Sequence, residues 1–144
     1  MIDRGARNKV AEVTRHYLTG LATNFEFDDA LFSLESHDPV IKAIRDQLWL
    51  LYDDLCEHKH EGVWAISVEQ HEIVMRIMMF LKTDFEYQWP RVPSWYSASR
   101  PFIRLLTLGF GSRMLDRKFA FKDHENVWPF HNPEQLAQAK NNPT

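Results

Sequence analysis

The chain has 144 residues, of which 44% are hydrophobic, and its net charge is −3 at pH 7. This composition predicts one folded domain spanning residues 1–144, excludes a disordered chain and argues against a general nucleic-acid binder. A single cysteine, Cys56, excludes a disulfide framework and a multi-thiolate zinc site. A polar N-terminus and the lack of a long apolar stretch predict a cytoplasmic protein without a signal peptide or a membrane span.

The first predicted helix covers residues 5–19, and a short second helix covers residues 24–34. Thr23 followed by Glu26 is a capping-box pattern that starts the second helix, and Gly20 ends the first. The first helix carries apolar side chains at steps of three and four, which is the spacing of one buried face: Val10, Val13, Tyr17 and Leu21.

Two further helix starts follow along the chain. Asp38 before Pro39 predicts a third helix, which we expect to be central and to run to about His58. Ser67 with Gln70 is another capping box, and the helix that it begins should end near residue 82. Four helices in residues 5–83 predict a mostly α fold built as a compact helical bundle.

Residues 84–144 are predicted to form a basic C-terminal segment packed on this core. Helix should return from Ser99 to Leu108, and Asn132 before Pro133 should cap a last short helix. Residues 119–121 and 127–128 can pair as one small β-hairpin.

Charge is divided along the chain. Residues 1–90 carry 9 basic and 16 acidic side chains, whereas residues 91–122 carry 7 basic side chains and one acidic one. The basic segment needs a complementary surface: the acidic half of the chain, another protein or an anionic membrane, with nucleic acid least favoured. Its candidate binding residues are Arg100, Arg104, Arg113, Arg117 and Lys118, with Trp95 as an aromatic anchor.

An acidic face is the matching feature of the first half. It is either a solvated surface or one that receives Arg side chains from this chain or from a partner, and catalysis is the least favoured reading. Its candidate partner-binding residues are Asp28, Asp29, Asp53, Asp54 and Glu57.

A metal site is the weaker interpretation of the same stretch. On a helix, Asp54, Glu57 and His58 would share one face, and carboxylate and imidazole groups both bind zinc. A polar helix end, where His58 meets the negative end of the helix dipole, explains the pattern without a metal. We therefore predict no metal and no cofactor.

Several phrases resemble those of a group of small bacterial proteins without an assigned activity. They are NFEFDD at residues 24–29, LYDDLCEH at 51–58, FLKTDFEYQWP at 80–90 and VWPF at 127–130. The resemblance implies one compact bacterial domain and supplies no catalytic residue. In size and acidic helical face the chain is also similar to immunity proteins of bacterial toxin systems.

The leading hypothesis is a non-enzymatic bacterial protein-binding module, immunity-like or regulatory, that acts by occluding a surface of its partner. One alternative is a peripheral membrane protein that binds anionic lipid through residues 100–118. The other is a metal-dependent hydrolase at Asp54, Glu57 and His58.

Overall fold

The computed structural model describes residues 1–88 and 126–141. This part of the chain is mostly helical and contains no β-strand, which confirms the predicted mostly α fold. Its elements are α1 (Arg4–Leu18), α2 (Asn24–Phe32), α3 (Pro39–Leu48), α4 (Val68–Lys82) and α5 (Pro133–Asn141), with 3₁₀ turns at Trp49–Leu51 and Gly62–Trp64.

The helix starts lie where the local sequence predicts them. Complete capping boxes begin α2 at Thr23 and α4 at Ser67, each with the side chain three residues later bonding back to the cap. Asp38 caps α3 by accepting a hydrogen bond from the Val40 amide. After α1, Gly20 has a φ of 70°, a left-handed conformation that favours glycine. Local side-chain chemistry therefore explains these boundaries.

The predicted extent of the third helix is wrong. It ends at Leu48, a single 3₁₀ turn follows, and the backbone is extended at Tyr52. The apolar spacing that suggested a longer helix includes Leu55, yet this side chain is 87% exposed. Residues 53–58 form a loop instead, because their backbone groups bond to α2 rather than to a continuing helix.

The predicted hairpin is also not formed at its second arm. Residues 119–125 lie outside the described part of the chain, but Val127 is helical and Trp128 lies in the turn that follows it, where the Phe130 amide donates to the Val127 carbonyl. The turn buries Phe130, whose ring centroid lies 5.2 Å from that of Phe80 on α4. The apolar residues that were predicted to form the second strand are therefore explained by packing against the core.

One hydrophobic core joins the described helices. Helix α1 packs against α2, α3 and α4, and α5 packs against α4. The predicted buried face of α1 holds for its first three members, whereas Leu21 lies beyond the helix and is 71% exposed. Large side chains buried almost completely in this core include Tyr17, Phe27, Ile44, Ile77 and Phe80.

A buried ion pair crosses the core near the start of α1. The Arg7 Nε atom donates to Asp38 Oδ2 at 2.7 Å, and both side chains are at most 1% exposed. Arg7 also donates to the Thr83 carbonyl at 2.9 Å, and its guanidinium carbon lies 5.2 Å from the centre of the Phe80 ring. The pair therefore connects α1, the cap of α3 and the end of α4.

Acid should destabilise the protein partly through this pair. Burial raises the pKa of Asp38, but hydrogen bonds from Arg7 and two backbone amides outweigh burial and hold the pKa below the ordinary value of 3.8. A carboxyl group with a lowered folded-state pKa stabilises the fold above its unfolded-state pKa and loses that contribution as the pH falls further. We expect thermal stability to fall below about pH 4, and to fall less steeply in Asp38→Asn. An equally steep decline in this variant would contradict the assignment.

Candidate functional site

Within residues 1–88 and 126–141, carboxylates cluster on a loop between α3 and α4, here called the acidic loop (residues 52–58). Asp53, Asp54 and Glu57 are exposed on it, and the apolar side chain of Leu55 is 87% exposed among them. The loop therefore presents three carboxylates and one apolar side chain to solvent on the same short stretch of backbone.

Asn24 holds the acidic loop in place from the first turn of α2. Its side chain is completely buried, and its Nδ2 atom donates to the carbonyl oxygens of Asp53 and Cys56 at 2.8 and 3.0 Å. Its Oδ1 atom accepts from the His58 amide at 2.8 Å, and its own amide donates to the His58 carbonyl at 2.9 Å. One side chain thus orders the backbone of the whole loop.

An aromatic cluster packs against the start of the acidic loop. The Tyr17 and Phe27 rings are stacked with centroids 4.7 Å apart, and the Tyr52 ring meets both of them edge-on. The Tyr52 hydroxyl group donates to Asp28, and burial together with this carboxylate raises the pKa of Tyr52. The start of the loop is therefore anchored on α1 and α2.

Two histidines fix the far side of the loop. The His58 ring is buried and stacks on Trp64 at a centroid distance of 4.2 Å, with its Nδ1 atom 2.9 Å from the Cys56 carbonyl. The His60 Nε2 atom accepts from the Ile66 amide, which places the ring proton on Nδ1, toward the Leu18 carbonyl. These contacts hold Trp64 and the exposed Val63 beside the acidic loop.

The loop carboxylates are not neutralised by the described part of the protein. Asp53 and Glu57 accept local hydrogen bonds from the Leu55 amide and the Thr23 hydroxyl group. No ion pair joins Asp53, Asp54 or Glu57 to a basic side chain in residues 1–88 or 126–141. The loop therefore presents negative charge to solvent on a backbone that is already ordered.

The geometry that suggested a metal site is absent. Asp54, Glu57 and His58 lie in the acidic loop, not on one helix face, and the His58 ring is taken up by its stack with Trp64. Within the described ranges, no group of three or more His, Cys, Asp or Glu side chains could hold a metal ion. The end of α3 at Leu48 removes the periodicity on which the metal interpretation depended.

The other predicted site residues fall in different places. Asp28 is half-buried and accepts a hydrogen bond from the Tyr52 hydroxyl group, whereas Asp29 is exposed on α2. The basic segment of Arg100, Arg104, Arg113, Arg117 and Lys118, and the anchor Trp95, lie outside the described residues.

Sequence reasoning missed Asn24 and the two exposed side chains Val63 and Trp64. The one local signal for Asn24 is a polar residue directly after the Thr23 cap, where an apolar one would continue the buried face.

Comparison of the chain with protein-family models, with curated proteins and with solved structures finds no match. No helix within residues 1–88 and 126–141 combines the length and the apolar character that crossing a membrane requires.

Proposed function

We propose that the protein is a non-enzymatic module that binds another protein through the acidic loop. The observation that carries this proposal is the combination of three exposed carboxylates, which form no ion pair within residues 1–88 and 126–141, and an 87% exposed leucine on a loop held by the buried Asn24. A loop that is ordered before binding loses little conformational entropy on association, which favours affinity.

The partner that fits this surface is a protein with a basic face containing an apolar pocket. Asp53, Asp54 and Glu57 would meet its Lys and Arg side chains, and Leu55 would enter the pocket. Exposed charges steer association and select the partner, while a central apolar side chain contributes much of the affinity. Surface occlusion of this kind is the mode of action of an immunity-like or regulatory protein.

The test is co-purification at low salt from cells that naturally express the protein, followed by affinity measurement with the protein recovered. The variant Asp53→Asn/Asp54→Asn/Glu57→Gln keeps the local hydrogen-bond acceptors and removes three negative charges. We expect it to bind the recovered partner at least tenfold more weakly, because each lost charge pair contributes up to about 1 kcal/mol. Leu55→Ala should weaken binding by a comparable factor.

A matched control removes the same charge from other exposed positions. Asp46→Asn/Glu72→Gln/Glu134→Gln changes one carboxylate on each of α3, α4 and α5, and should bind the partner as the wild type does. Equal loss in both triple variants would indicate a general charge effect and contradict the acidic loop as the interface. Failure of the wild type to retain any specific protein would contradict the proposal as a whole.

A further inference from the structure

A cavity lies between the end of α2 and the first turns of α3, and it shares no residue with the acidic loop. Its volume is about 320 Å³, which is at the lower end of the range for small-molecule sites. Phe32, Leu34 and Ile41 provide apolar surface, and the polar lining consists of Glu35, Ser36, His37, Lys42 and Arg45. The size and the mixed lining suit a small ligand with one polar end.

Two cations converge on this cavity within the acidic half of the chain. Lys42 and Arg45 are three residues apart on α3, so their side chains project from the same face of the helix. Neither forms an ion pair with a carboxylate of residues 1–88 or 126–141. The charge at this end of the cavity is therefore available to an anion.

Arg45 contacts an aromatic side chain of the same lining. Its guanidinium carbon lies 5.1 Å from the centre of the Phe32 ring, within the range of a cation–π contact. Its Nε atom is buried and has no hydrogen-bond partner within residues 1–88 and 126–141, an uncommon state for a buried donor. A small rotation of the side chain toward the cavity would expose Nε, and a carboxylate would then accept from Nε and the neighbouring terminal nitrogen side by side, which would satisfy this donor.

We propose that the cavity binds a small monocarboxylate with an apolar body. The carboxylate would meet Arg45 and Lys42, while the apolar body would pack against Leu34 and Ile41. Glu35 places a negative charge in the same lining, which disfavours ligands that carry several negative charges. This site is independent of the protein-binding function proposed above.

The test is a titration of the isotope-labelled full chain with benzoate, followed through amide chemical shifts. We expect saturable shifts centred on residues 34–45. Benzamide, which has the same ring without the charge, should bind at least tenfold more weakly, and inorganic phosphate should give no saturable shift at these residues.

Variants test the two cations separately. Arg45→Gln should weaken benzoate binding at least tenfold, and Lys42→Gln should weaken it severalfold. Lys140→Gln, an exposed change on α5, should leave it unaltered. Because Lys42 is also exposed, its variant should fold and remain informative if Arg45→Gln does not. Non-saturable or scattered shifts, equal binding of benzamide or phosphate, or unchanged binding by both cavity variants would overturn the proposal.

Discussion

Arg7→Met should lower the free energy of unfolding by about 3–5 kcal/mol, the range for removal of one partner from a buried ion pair. The substitution would leave the Asp38 carboxylate buried with backbone amides as its remaining described donors. It would also remove the hydrogen bond to the Thr83 carbonyl and the contact with the Phe80 ring. Urea denaturation at pH 7, followed by circular dichroism, measures the change.

Two comparisons isolate the ion pair from the loss of a long side chain. Arg15→Met lies on the exposed face of the same helix, where the Arg15 side chain donates to the Ala11 carbonyl of its own helix, and should change stability by at most about 0.5 kcal/mol. Arg7→Met/Asp38→Asn should be more stable than Arg7→Met alone, because asparagine is neutral and still caps α3. A free energy within about 1 kcal/mol of wild type for Arg7→Met would contradict a stabilising role for the pair.

Asn24→Ala should destabilise the protein by about 2–4 kcal/mol, because buried hydrogen-bonding groups left without partners each cost about 1–3 kcal/mol. The groups left without partners are the Asp53 carbonyl oxygen and the His58 amide, while the Cys56 carbonyl loses one of its two contacts and keeps that with His58 Nδ1. Opening of the loop would return some of these groups to water, which limits the total. Chemical denaturation gives the free energy, and hydrogen exchange at the His58 amide should accelerate.

Asn24→Ala also distinguishes the contribution of loop order to partner binding from the contribution of loop charge. Asn24→Ala keeps every carboxylate but should weaken partner binding, because a mobile loop must be ordered on association. The triple charge variant should weaken binding with little change in stability. Asn8→Ala, an exposed change on α1, serves as the control and should affect neither property. Unchanged exchange at the His58 amide in Asn24→Ala would show that Asn24 does not hold the loop.

The end of α3 shows why part of this structure could not be read from the sequence. The apolar periodicity continues to Leu55, so a local pattern predicts helix through residue 58. The hydrogen bonds that hold residues 53–58 as a loop come from Asn24, which is 29 to 34 residues away. Long-range partners of this kind have no signature in a window of neighbouring residues.

The candidate site could be predicted from the sequence only in part, for the same reason. The sequence alone identified Asp53, Asp54 and Glu57 as acidic candidates and located the exposed apolar Leu55 on the buried face of a helix. The sequence does not distinguish Asp28, which accepts a hydrogen bond from Tyr52, from the carboxylates that are exposed to solvent. That distinction depends on which side chains the fold brings together.

The helix starts and the mostly α class follow from local sequence, because capping side chains act within three residues of their own position. The exposed loop, the burial of the Arg7–Asp38 pair and the cavity beside Arg45 depend instead on how the helices pack. The loop and the ion pair join residues distant in the chain, since Arg7 and Asp38 are 31 positions apart, and the cavity requires α2 and α3 to be packed at a particular angle. Their energies arise from burial and hydrogen bonding that exist only after the helices have packed.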